Sequence, residues 1–583
     1  MKRWPCLGIA IISLLIGACS PSGEGSMADL VIRNARVLTV DSNFAEAEAV
    51  AIRDGVFIEV GDNETVQNLI GEQTRVIDAG GKTVVPGLIE SHVHAQSVVQ
   101  REYATPHPFE QLGSIADMQR WLRTEVEKTP QDQWIQLPRV DVTRIKEGRI
   151  PNRADLDEAA PDHPALFIWQ FASRQVQVLN TAAMEAAGIT KNTPVQEGGE
   201  IVLDENGEPT GVLENCSELT SSYLIARTIP DQVYLDDLEQ LLNSYNEVGI
   251  TSIGERHSNP SGYHNYEKLK EEGRLTTRVT VTLGLSSDGT VEGTEKAIRA
   301  LSIEPDEGDD WVRTGPLKLR VDGGILYGSA FMREPYGSKA LSFYGFDNPE
   351  HRGELLIDQE KLNNMIHTGH RMGWQMSAHI TGDAGVDAVL NAVEASQEIL
   401  PDQDLRFTLI HGYFVNRETA RRIAGLGVGV DTQPAWYYKD GDALSNVLVP
   451  DRMNEFIGLQ EWVRSGARVA INSDHMYGFD PNSSLNPYNP FLTMYTAISR
   501  KTEGGKVINP GQKVSREDAL RMMTIDAAWL NFDEPRTGSI EVGKLGDLAI
   551  LTDDLLSCDE EQIKNIRSLL TVVGGHVVYE KEL

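Results

Sequence analysis

From residue 30 onward, short apolar runs alternate with longer stretches whose apolar residues recur every three or four positions. Eight short runs read as strands: Val84–His94, Ile250–Arg256, Val279–Leu285, Leu317–Asp322, Gln375–His379, Phe407–His411, Val428–Thr432 and Val469–Ser473. Helical periodicity fills most of the gaps, as in Gln359–Gly369 and Ala384–Leu400. Strand–helix alternation of this kind predicts a parallel sheet, and eight units predict an α/β fold closed into a (β/α)8 TIM barrel. The first gap is far too long for one crossover, so an insertion over about residues 103–235 is expected. Within it, Gly199–Leu213 reads as a hairpin turning at Asn206-Gly207.

The pattern changes at both ends. Leu30–Val40 reads as a short strand pair, and Ala49–Gly61 as a hairpin turning at Asp54-Gly55. Strands return at Gly546–Leu551 and Leu570–Tyr579. Two β-rich ends around a long α/β middle predict one small β-sandwich built from residues 30–85 and 538–583, with the barrel over 86–537.

Composition changes this picture little. The 583 residues are 40% hydrophobic and 24% charged, which is ordinary for a globular chain. The net charge of −33 argues against nucleic acid as a partner, and an acidic surface near the site would disfavour strongly anionic substrates. Four cysteines in this length are not a disulfide framework, and Cys216 and Cys558 read as two buried thiols.

The first residues read as an address. Met1-Lys2-Arg3 is basic and Leu7–Ala18 is apolar but too short to anchor across a bilayer. Leu15-Ile16-Gly17-Ala18-Cys19 resembles a bacterial lipobox. That resemblance implies removal of signal peptide 1–18, a lipid on Cys19 and a polar tether over 19–29. With Ser20 next, the expected place is the outer membrane, facing the periplasm.

Barrels place their chemistry at the C-terminal ends of the strands. The first strand ends in Pro86-Gly87-Leu88-Ile89-Glu90-Ser91-His92-Val93-His94. Alternate side chains of a strand share a face, so His92 and His94 point the same way and can share a metal. His379, His411 and Asp474 end the fifth, sixth and eighth strands. In the fourth, Leu317, Leu319 and Val321 alternate with Lys318, Arg320 and Asp322. Lys318 then points inward, which is costly for a cation unless it is paired or chemically changed. Arg320 is a candidate charge partner for Asp322 or for a modified Lys318.

These residues, in this order, resemble the amidohydrolase superfamily, and most of all amidohydrolase family 3. Its pattern is His-x-His after strand one, Lys or Glu after strand four, single His after strands five and six, and Asp after strand eight. AMEAAGI, GEPTGVLEN, KLRVDGG, AHITGDAGVDAV and SIEVGKLGDLAIL resemble further blocks of the family, so that the likeness spans about residues 30–580. The resemblance implies one or two divalent metal ions, foremost Zn2+, with Mn2+, Fe2+ or Ni2+ as alternatives. His92, His94 and Asp474 would hold the first, His379 and His411 the second. CO2 would turn Lys318 into a bridging carbamate. Asp474 would take the proton of a metal-activated water and pass it to the leaving amine. A one-metal site with unmodified Lys318 stays open.

The expected function is hydrolysis of a non-peptide C–N bond in a small amide, N-acyl compound or cyclic amide. The same centre acting on an ester, lactone or phosphotriester is the alternative. Lys318 counts against a deaminase. A dead, lipid-anchored binding protein would be expected to have lost a ligand. Gln175 stands where many family members carry a His and is a candidate substrate residue. Tyr327, Trp436 and His257 follow strands four, seven and two and are candidates for the pocket wall.

Overall fold

The computed structural model describes residues 27–104, 112–171, 174–224, 228–401 and 403–582. The leader and Cys19 lie outside the described residues. Eight parallel strands form one sheet in chain order: β1 Leu88–Val93, β2 Ile250–Ser258, β3 Arg278–Gly284, β4 Val312–Arg320, β5 Met376–Ile380, β6 Thr408–His411, β7 Gly429–Thr432 and β8 Arg468–Ile471. A parallel bridge between Val93 and His475 joins the chain beyond β8 to β1, and the His94 N–H donates to the His475 carbonyl at 2.8 Å. The barrel therefore closes at the level of its ligand residues. Helices such as Asp383–Ile399 bury one face against the strands, with Val386, Val389, Leu390 and Val393 inaccessible.

The expected first strand, Val84–His94, is two strands. Thr83–Pro86 belongs to another sheet, and the chain breaks at Gly87 before β1. A Cβ on Gly87 would meet Thr251 Oγ1 at 2.1 Å, so the crossing between the two sheets needs a residue without a side chain.

The two ends of the chain share a pair of sheets. One holds Leu30–Arg33, Ala49–Arg53, Val56–Gly61 and Arg75–Asp78; the other joins Arg36–Leu38, Glu46–Ala47 and Thr83–Pro86 to Leu548–Leu551, Ser568–Val573 and His576–Glu580. Leu30, Ile32, Val50 and Ile52 pack on Val84, Leu548, Ile550 and Val572 between them. The opening run does not pair with itself as expected. Its halves enter different sheets, and Asn34, at φ +52°, turns the chain between them. Asn tolerates that left-handed conformation better than most residues.

Between β1 and β2 the inserted segment builds its own five-stranded sheet, ordered Glu200–Leu203, Pro209–Glu214, Arg174–Leu179, Ala165–Phe171, Ile135–Gln136. Ser114 caps its helix Ile115–Val126 by accepting from the Asp117 N–H. Cys216 and Cys558 are free thiols; Cys216 is buried as expected, whereas Cys558 is only half-buried. Among the described residues, no helix is long and apolar enough to cross a membrane.

Candidate metal centre

His92 projects from β1, His94 from the residue just after it, and Asp474 from the segment after β8. Their donor atoms form a near-equilateral triangle. His92 Nε2 and His94 Nε2 are 3.3 Å apart, and each is 3.3 Å from Asp474 Oδ1. A tetrahedral ion bound at roughly 2.0–2.1 Å has ligand edges of about 3.3–3.4 Å. Asp474 Oδ1 is buried and accepts no hydrogen bond, which is costly for a carboxylate oxygen unless a cation completes it. The donors fit a divalent metal.

His379 and His411 form a second cluster. His411 Nε2 faces His379 Nδ1 at 2.8 Å. The Gln433 side-chain amide donates to the Asp431 carbonyl at 2.9 Å, so its oxygen is what faces His411 Nδ1 at 2.6 Å. His411 Nδ1 is therefore the N–H, and Nε2 carries the lone pair. His379 Nε2 lies 3.3 Å from the Gly323 carbonyl, an acceptor, which leaves the Nδ1 lone pair aimed at His411. Two facing lone pairs repel unless a cation lies between them. Lys318 stands beside the first cluster, with Nζ 3.4 Å from His92 Nε2, and the His92 and His411 ring centres are 5.5 Å apart.

Burial sets the protonation of these groups. It holds His92, His94 and His379 well below the usual imidazole range and brings His411 to about 4. All four are ready as neutral ligands. Burial lowers the Lys318 amine to about 7, against the pull of Asp474. It raises the Asp474 carboxyl, making it a better proton acceptor.

Three residues here hold left-handed backbone without being glycine: His257 (φ +67°), His411 (+81°) and Asp474 (+54°). Such conformations cost on the order of 1–3 kcal/mol each and persist where surrounding contacts enforce them.

A cavity opens above the clusters. Its lining includes His94, Lys318, His379, His411 and Asp474, with Phe171, Leu326, Leu444, Phe456 and Met476 as apolar wall. Tyr327, Trp436 and His257 line it as well. The Tyr327 hydroxyl is committed, donating to Asp141 Oδ1 at 2.8 Å, while Arg139 donates to the same hydroxyl. The Trp436 indole N–H donates to Asp474 Oδ2 at 3.0 Å, so Trp436 supports a ligand as well as forming wall.

Gln175 is absent from the lining. Register pairs Phe171 with Arg174 and Gln170 with Gln175 across the inserted hairpin. Cross-strand partners share a face. Phe171 takes the cavity face, its ring 5.2 Å from Tyr327, and Gln175 bonds Gln170 at 2.9 Å on the other. Nor does Arg320 pair with Asp322. The Asp322 carboxylate instead accepts the backbone N–H groups of Phe331, Thr381 and Gly382. Sequence reasoning missed Arg139, Asp141, Phe171, Tyr413 and the orienting role of Gln433. Only Gln433, two residues past Asp431 after a predicted strand, carried a positional signal.

A parallel barrel whose strand ends converge imidazoles, a lysine and an aspartate on one cavity defines a metal-dependent hydrolase. The chain belongs to the amidohydrolase family, whose model matches residues 75–579. It is thus an enzyme acting on carbon–nitrogen bonds other than peptide bonds, with a divalent metal centre and a small-molecule substrate. It is 26% identical over 563 residues to the N-substituted formamide deformylase of Arthrobacter pascens, covering 95% of this chain and 99% of that one. It is also 26% identical over 586 residues to the protein LONG AFTER FAR-RED 3 of Arabidopsis thaliana, covering 95% and 92%. A metal-dependent hydrolase of Pyrococcus horikoshii shares the fold with a TM-score of 0.66 at 19% identity, over 91% of this chain and 99% of that one.

Proposed function

We propose that the enzyme cleaves the C–N bond of a small amide or N-acyl compound at a zinc centre bridged by carboxylated Lys318. The observation that carries this reading is the 3.3 Å triangle of His92, His94 and Asp474, with Asp474 Oδ1 buried and without a hydrogen bond. Bound divalent ions would supply Lewis acidity and bring the pKa of water toward neutrality. His92, His94 and Asp474 would hold one, His379 and His411 another.

The remaining steps belong to the chain. With its pKa near 7, part of the Lys318 amine is neutral at physiological pH. Its lone pair adds to CO2, an N–C bond forms and a proton leaves. The product is a planar anion in place of a buried cation, which removes the burial cost. Trp436 pins Asp474 Oδ2 and so fixes the carboxylate. That geometry lets Asp474 take the water's proton and return it to the departing nitrogen. The apolar walls exclude bulk water around the amide. The similarity to a formamide deformylase supports an N-acyl substrate.

A one-metal centre is the second reading, favoured by the fact that only His92, His94 and Asp474 form a closed triangle of donors among the described residues. Metal analysis of the purified protein, with and without bicarbonate, tests both. Two equivalents with bicarbonate and fewer without are expected for the bridged centre; one in both conditions favours the second reading; none in either removes the hydrolytic one. A screen of N-formyl amides, N-acyl amino acids, cyclic amides, lactones and phosphotriesters then separates bond types.

The lipobox-like Leu15–Cys19 supports export and anchoring through Cys19 at a bacterial outer membrane, facing the periplasm. Cys19→Ala should move the protein from the membrane fraction to the soluble one. If it stays with membranes, the anchor lies elsewhere.

A further inference from the structure

Two polar side chains in the cavity have no part in the hydrolytic reading. Arg320 is the last residue of β4, lines the cavity and stays exposed to it. Its guanidinium carbon sits 5.5 Å from the Phe171 ring centre. Among the described residues no carboxylate pairs with it and no hydrogen bond leaves it. His257, near the end of β2, also lines the cavity, on strained backbone at φ +67°, with no hydrogen bond or ion pair to a described residue. Gly284, on the neighbouring strand, leaves the His257 ring room. A Cβ there would lie 3.0 Å from the His257 ring, and Gly284 is in register with Lys318.

The missing partner is not explained by a shortage of acids, since the chain has 86 acidic and 53 basic residues. Several buried arginines are neutralised, Arg144 by Asp440 at 2.8 Å, Arg256 by Asp431 at 3.2 Å and Arg278 by Asp547 at 2.7 Å, while Arg500 is held by the backbone carbonyls of Phe456 and Ile457. Arg139, in the same cavity, has Asp141 at 3.3 Å. Asp474 is the sole carboxylate among the cavity-lining residues, and it faces the imidazoles. Arg320 thus presents a free donor fork, steadied on an aromatic face, to a chamber that also has an apolar wall of Phe171, Leu326, Leu444, Phe456 and Met476. That arrangement matches a planar carboxylate.

Distance narrows the ligand further. Lys318 and Arg320 are two residues apart on one strand face, a rise of roughly 7 Å. A carboxylate on Arg320 would therefore lie a few bonds from an amide at the ligand cluster. The net charge of −33 opposes anions at long range, but salt screens it beyond about 8–10 Å. Direct charge-assisted bonds decide at contact.

We propose that Arg320, assisted by the His257 ring N–H, binds a substrate carboxylate, so that the preferred substrates are N-acyl amino acids carrying an apolar group. This rests on the amidohydrolase reading of the same site. The test compares N-octanoyl-leucine with N-octanoyl-leucinamide, in both enantiomers, on zinc-loaded enzyme with bicarbonate. Amine release and calorimetric binding are both measured. The acid should exceed the amide in kcat/KM by about 100-fold, and Arg320→Gln should bring that ratio to within about threefold of unity. Arg320→Lys should keep part of the preference. A wild-type ratio near one, or a ratio unchanged in Arg320→Gln, overturns the proposal. If neither compound is cleaved, calorimetry still decides. Acid binding that weakens at least tenfold in Arg320→Gln upholds the carboxylate site while the bond assignment fails; equal or absent binding overturns the site.

Discussion

The Trp436 indole N–H donates to Asp474 Oδ2 at 3.0 Å, leaving Oδ1 as the corner shared with His92 and His94. One carboxylate is thereby divided between a fixed oxygen and a working one. Trp436 is itself held, with the Arg144 guanidinium 5.3 Å from its ring centre and Arg144 tied to Asp440. Trp436→Phe keeps the wall and removes the donor. It should lower kcat by about tenfold to hundredfold, the worth of a hydrogen bond to a charged group, while metal content stays the same. Steady-state kinetics beside metal analysis checks this; a loss of metal would make Trp436 a requirement for the site's assembly instead.

Lys318→Ala should lose metal and nearly all activity. Short carboxylic acids should restore some of both by standing in for the carbamate. Full activity in the variant, without added acid, would contradict the bridging role.

The metal-free protein should lose stability on mild acidification. Burial holds His411 at about 4 and His257, His370 and His475 at about 3 in the fold. An unfolded imidazole titrates near 6.5. Between about 6.5 and 4 the unfolded chain binds more protons, so stability falls as pH falls. Glu255 and Asp322, raised by burial to about 7, act the other way together with Glu90, Asp431 and Asp474, but burial lowers His92, His94 and His379 as well and the imidazoles outweigh them. The melting temperature should therefore drop from pH 7 to pH 5. A flat or rising profile would show that the imidazoles are protonated in the fold.

Beneath the ligands, Arg256 and Asp431 are both fully buried inside the barrel. Asp431 accepts from Arg256 at 3.2 Å and from Ser91 and Asn472 at 2.6 Å each, so it ties β1, β2, β7 and the chain past β8 together. Asp431→Ala leaves a buried guanidinium uncompensated and should cost about 3–5 kcal/mol in denaturant unfolding. Adding Arg256→Met to Asp431→Leu should recover part of that. If the single and double variants are equally unstable, the pair matters only for its packing.

The barrel was legible because its strands are short, apolar and regularly spaced, and because each ligand sits at a strand end where few positions are available. The cavity wall was much less so. Arg139, Asp141 and Phe171 come from the inserted segment, whose approach to the barrel depends on contacts such as Tyr327 with Asp141, over a separation of 186 residues. No local pattern encodes that. Gln175 shows how narrow the margin is, since hairpin register alone puts Phe171 over the ligands and turns Gln175 away. Likewise, a lone Arg in a strand looks like a surface residue until its neighbours are known, and Asp322 turned out to be occupied by backbone.

Thr83–Pro86 pairs with Leu548–Leu551 and runs through Gly87 straight into the strand that bears His92 and leads into His94. The foundation of the first ligand strand is therefore translated more than four hundred residues after the strand itself. Until that late segment arrives, the strand before Gly87 lacks one of its neighbours. A nascent or prematurely terminated chain can carry all six donor residues and still lack the support that aligns two of them. Fragments ending before residue 548 should therefore be poor scavengers of metal.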